Sequence, residues 1–139
     1  MIKSKSIRQG AVAAALALAF GAPAFAAGDA HSHDHAASEA KLVLNQGQKW
    51  PTDAPLRQGM ENIRSAVAKG MKDEALAKAV ETEVAGIVQN CKLEPEADEQ
   101  LHIVIAELMA GAEAKDSAKV AKALNAYGEH FDHAGWKRL

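Results

Sequence analysis

Four side chains in this sequence carry the chemistry of soft-metal ligands. They are the thioether of Met60, the only thiol, Cys91, and the imidazoles of His102 and His130. Thiolate and thioether groups favour copper(I), and imidazole suits copper in either oxidation state. Two His, one Cys and a weak axial Met form the ligand set of mononuclear electron-transfer copper centres. Cys91 lies in the stretch NCKLEPEADEQLH, which ends at His102. Pro95 within it cannot continue a helix from its N-terminal side but is well suited to open a new one. The stretch therefore predicts a helix ending near Lys92, a sharp reversal, and a second helix from Pro95. Cys91 and His102 then face the same end of the fold.

The elements that would bring Met60 and His130 to that end follow from periodicity. Leu56, Met60, Ile63 and Val67 recur at helical spacing, with Thr52 or Asp53 as cap and Pro55 in the first turn. Leu76, Val80, Val84, Ile87 and Cys91 form a second apolar row. Leu101, Ile105, Leu108 and Ala112 form a third, and Val120, Leu124, Tyr127 and Phe131 a fourth. Expected boundaries are near 55–71, 73–92, 95–113 and 117–136. The last two bends fall at Leu93-Glu94 and at Lys115-Asp116-Ser117. Short links between four helices predict an all-α, up-down-up-down bundle, and no stretch alternates with the period of a strand.

At ~1.5 Å per residue, measured from the bend after Cys91, Cys91 lies about 4 Å up, His130 about 7 Å, His102 about 10 Å and Met60 about 10–13 Å. Four helices thus bring Met60, Cys91, His102 and His130 to one layer. This predicts a copper site of those four residues, with His133 replacing His130 if the fourth helix is rotated. Each residue also has a plain role available: Met60 as core filler, Cys91 as a small hydrophobe, the two His as helix-surface groups.

The segments before the bundle read differently. Lys3, Lys5 and Arg8, an apolar run over 11–20, and Ala24-Phe25-Ala26 have the pattern of a secretory signal peptide, cleaved after Ala26. Its apolar run is too short to span a membrane. Cleavage takes the 139-residue chain to 113. Losing the three basic residues leaves 13 Lys and Arg against 18 Asp and Glu, a formal charge of −5. That acidity argues against nucleic-acid binding. Export predicts a periplasmic location, and one cysteine forms no internal disulfide. Residues 27–40 are polar and aperiodic and predict a disordered tail, in which His31, His33 and His35 are close enough to chelate a divalent ion weakly. Residues 41–55 read as an extended lead-in, with Trp50 as a packing anchor. The bundle domain is 41–139.

The stretches LNQGQKWPTDAPLRQGM and NCKLEPEADEQLH resemble a family of small exported bacterial helical-bundle proteins. That resemblance spans most of the mature chain and implies export and a bundle, with no particular activity. The layout also resembles cytochrome b562, in which a Met early in the first helix and a His late in the last ligate haem. Met60 in PLRQGMENI and His130 in NAYGEHFDH stand in matching places, which implies a haem b site as the alternative to copper. Cys91 and His102 depart from that pattern, and no CxxCH is present for covalent haem. A cofactor-free bundle that binds a partner is a third expectation. Enzymatic chemistry is not expected, because no row carries paired inward carboxylates or a base beside an acyl-transfer nucleophile. The partners expected are a metal ion and a redox or metal-transfer protein.

Overall fold

A computed structural model of the chain describes residues 40–139. The segment expected to be a signal peptide and nearly all of the expected His-bearing tail lie outside these residues. Among the described residues there are four helices: α1 (Ala54–Ala68), α2 (Asp73–Asn90), α3 (Pro95–Glu113) and α4 (Ser117–His130). Each packs on its two neighbours, with α1 closing on α4, to give a four-helix bundle. None of the helices is long and apolar enough to cross a membrane.

Local chemistry explains the boundaries. The Asp53 carboxylate accepts the Leu56 N–H at 3.0 Å and caps α1. Gly70, at φ +78°, ends α1 in a Schellman turn: Met71 N–H donates to the Ala66 carbonyl and Gly70 N–H to that of Val67. Cys91 is the residue at which α2 gives way to extended backbone, and Pro95 opens α3 in its first turn. Asp116 caps α4 through bonds from the Ala118 and Lys119 N–H groups.

The core is built from the expected rows, with two adjustments. Leu56, Met60 and Ile63 of α1, Leu76, Val80 and Ile87 of α2, and Val120, Leu124 and Tyr127 of α4 are buried. On α3, Val104 occupies the centre alongside Leu101 and Leu108, and Ile105 moves to the margin. On α1, Ala66 similarly takes the inward place expected of Val67. Small residues let the helices approach closely. A Cβ on Gly59 would stand 2.5 Å from Ile87 Cγ1, so the α1–α2 contact requires glycine there.

The fourth helix stops six residues before the expected boundary. Trp50 N–H donates to the His130 carbonyl and Asp132 N–H to the Trp50 carbonyl, each at 2.8 Å. This pairing with the lead-in draws Phe131 into extended backbone, and Gly135 at φ +80° turns the chain back. Residues 131–139 form a strap rather than a fifth turn of helix. The lead-in packs Leu42 and Trp50 on the core, and Trp50 Nε1 donates to the Val43 carbonyl at 2.7 Å. Val43 and Leu44 face solvent.

Candidate metal-binding groove

The end of the bundle where α2 turns into α3 is held by one carboxylate. While Asp53 Oδ1 caps α1, its Oδ2 accepts the Lys92 N–H at 2.6 Å. The start of α1 is thus tied to the residue immediately after Cys91. On the outer side of this turn is a cleft of about 310 Å³ lined by Val88, Cys91, Lys92, Leu93, Asp98, Leu101, His102 and Ile105. Cys91 and His102 therefore share one groove, as the hairpin reading requires.

His102 is presented as a ligand would be. Its Nδ1 lies 2.8 Å from the backbone carbonyl oxygen of Asp98, one turn earlier on α3. A carbonyl oxygen only accepts, so Nδ1 carries the hydrogen and Nε2 of the neutral ring keeps its lone pair. The Asp98 carboxylate lies 3.4 Å from the same Nδ1 and reinforces that orientation. The side chain is 61% exposed, so the ring stands at the open mouth of the groove. Cys91 is half-buried against the core margin. Burial pushes its thiol pKa up, and the negative charges of Asp53 and Asp98 push it further in the same direction. The thiol is held protonated at neutral pH until something displaces the proton.

The other two expected ligands lie elsewhere. Met60 has no exposure and sits inside the core cluster, so its sulfur opens onto neither the groove nor solvent. It presents no open face to a haem iron either. His130 ends α4 on the side covered by the lead-in, with Nδ1 2.8 Å from the Ala126 carbonyl oxygen and its own carbonyl bonded to Trp50. Neither Met60 nor His130 lines the groove of Cys91 and His102. Among the described residues, no three His, Cys, Asp or Glu side chains come together as a group able to hold a metal ion. The single layer inferred from helix heights thus resolves into a pair, Cys91 and His102, and two separate residues. The rotated alternative with His133 requires a helix that is absent at that position. His133 lies in the strap, with Nδ1 3.0 Å from the Tyr127 hydroxyl.

Two features of the site went unread in the sequence. The Asp98–His102 spacing of four on α3 was a visible signal for an oriented imidazole. The double use of Asp53 had none, since its second partner is 39 residues away.

No protein-family model matches the chain, and neither a curated protein nor a solved structure matches it.

Proposed function

We propose that this protein is an exported copper-handling protein that holds copper(I) between Cys91 and His102. The observation that carries the proposal is the shared groove, in which His102 keeps Nε2 free while Nδ1 is engaged by Asp98. Thiolate and imidazole make a two-ligand set that copper(I) accepts and that offers copper(II) too few donors. This chemistry favours chaperone or storage roles over electron transfer. A groove mouth this open also suits passing the ion to a partner protein. The raised Cys91 pKa makes uptake proton-coupled: the metal must displace the thiol hydrogen, so affinity falls as the solution is acidified. The role proposed is that of a carrier, not an enzyme.

The test is a copper(I) competition titration against a chromophoric chelator, under anaerobic conditions. Cys91→Ser and His102→Ala should each weaken binding at least tenfold, while His130→Ala should leave it unchanged. Equal affinity in wild type and a Cys91→Ser/His102→Ala double variant would overturn the proposal and leave a cofactor-free bundle.

A further inference from the structure

The strap after α4 carries a cluster that the metal groove does not involve. Trp136 folds back across α4, its indole lying where a side chain on Gly128 would be: a Cβ there would meet Cδ1 and Nε1 at 2.2 Å. The indole stands edge-on to Tyr127, with ring centroids 4.9 Å apart, and the guanidinium of Arg64 on α1 lies 5.9 Å from its centroid. Trp136 therefore bridges α4 and α1, the adjacent pair of helices that touch least. Its Nε1–H is buried without a hydrogen-bond partner, so water competes for this group whenever the strap lifts.

The strap is tied at its ends, by Asp132 N–H on the Trp50 carbonyl, by the two bonds between Leu139 and Asn125 and by Arg138 on Glu129, and between those ends one hydrogen bond joins it to a buried side chain. Tyr127 is fully buried, and its hydroxyl meets His133 Nδ1 at 3.0 Å. A buried phenol must donate its hydrogen somewhere. With His133 neutral, Nδ1 accepts that hydrogen. With Nδ1 protonated, the bond reverses, Nδ1–H donating to the phenol oxygen, so the phenol hydrogen is left without an acceptor and a cationic ring lies against the buried Tyr127. We propose that residues 133–137, between those tied ends, form a pH-operated staple, in which neutral His133 holds Trp136 across the α1–α4 seam and protonation of Nδ1 releases it.

The charged surroundings of His133 are balanced, so burial decides the direction. Arg57 and Arg64 of α1 oppose its protonation, while Glu61 of α1 and Asp132 of the strap favour it. Glu61 is already engaged by Arg64, and its carboxyl is held below the usual range. Tyr127 on α4 stays neutral, its pKa pushed up by burial. Burial is the largest influence on His133 and lowers its pKa below the ordinary value of about 6.5. The docked strap thus binds a proton less readily than the lifted one. Docking is fully supported above about pH 6.5 and weakens as pH falls through that value toward the depressed pKa.

The experiment is a pH titration of the full chain followed by the two tryptophan indole N–H signals in nitrogen-correlated NMR, with far-UV circular dichroism alongside. Trp50, whose Nε1 bonds to the Val43 carbonyl, serves as the internal reference. Between pH 8 and pH 5 the Trp136 signal should move to a solvent-exposed position, with a midpoint below about 6.5, while helix content holds. His133→Gln, whose amide oxygen accepts from Tyr127 and never charges, should abolish the step and keep the docked signal at pH 5. Tyr127→Phe should raise the midpoint, because the neutral imidazole loses its partner. A Trp136 step that persists unchanged in His133→Gln overturns the staple. So does one that coincides with loss of helix, or a wild-type signal that does not move.

Discussion

Replacing Met60 separates a core methionine from a metal ligand. Its side chain is fully buried alongside Leu56 and Ile63 in the same cluster. Truncating such a residue to Ala removes its transfer free energy and leaves a cavity, at a cost of roughly 2–5 kcal/mol. At a central ~3 kcal/mol, a domain of about 100 residues should melt roughly 12–24 °C lower. Met60→Leu keeps volume and hydrophobicity and should cost less than about 1.5 kcal/mol. It also removes the only sulfur that Met60 could offer a metal. Losing a contributing ligand should weaken binding tenfold or more, which corresponds to about 1.4 kcal/mol. The expected result is therefore a large drop in melting temperature for Met60→Ala, a small one for Met60→Leu, and wild-type copper(I) affinity in Met60→Leu. Thermal denaturation of the apo protein and competition titration of the loaded one supply the two readouts. A near-native melt combined with a tenfold loss of copper(I) affinity in Met60→Leu would refute the placement of Met60 in the core alone.

Further outcomes follow from particular contacts. Asp53→Ala should cost about 1–3 kcal/mol in urea denaturation, because both the α1 cap and the bond from Lys92 N–H are lost. Asp53→Asn keeps a capping oxygen but removes the charge, so the Cys91 thiol should ionise at lower pH and alkylate faster at a fixed pH near neutrality. Copper(I) affinity measured from pH 8 to pH 6 should fall by about tenfold per unit, since a thiol proton is displaced on binding. Gly128→Ala should displace Trp136 and destabilise the protein by roughly 1–3 kcal/mol, seen as a lower melting temperature and a solvent-shifted Trp136 signal.

Most of the bundle was legible because its signals are local. Pro95 as helix opener and Asp53 and Asp116 as caps act within a few residues of themselves, and α3 begins and ends where periodicity and capping place it. The end of α4 was not legible. Nothing between Phe131 and Trp136 forbids a helix until Gly135, and the helical spacing of Tyr127 and Phe131 continues naturally toward the C-terminus. What stops the helix is backbone pairing with Trp50, about 80 residues earlier in the chain, and no local pattern encodes that partner. The same long-range pairing turned His133 from a next-turn helix residue into the hydrogen-bond partner of the Tyr127 hydroxyl.

The candidate metal site shows a different limit. Heights along helix axes place residues in a layer, but a ligand must also share a direction around the axis. At about 100° per residue, His102 is rotated a full step from Leu101, which faces the core. That rotation carries its ring out to the mouth of the α2–α3 groove. Met60 lies on the inward line of α1, so being in the same layer puts it in the core rather than beside His102. Cys91 escapes the core because α2 ends there: with extended backbone at this position, its side chain leaves the row of Val80, Val84 and Ile87 and turns to the groove margin. The pair therefore meets because one residue sits just past a helix end and the other just off a core stripe. Both facts can be drawn from spacing once the azimuth is followed as well as the height. The separation of His130 cannot, because the lead-in that covers its side of the bundle is held by Lys49 Nζ on the Gly128 carbonyl and by the Trp50 backbone on His130, contacts that exist only in the folded chain.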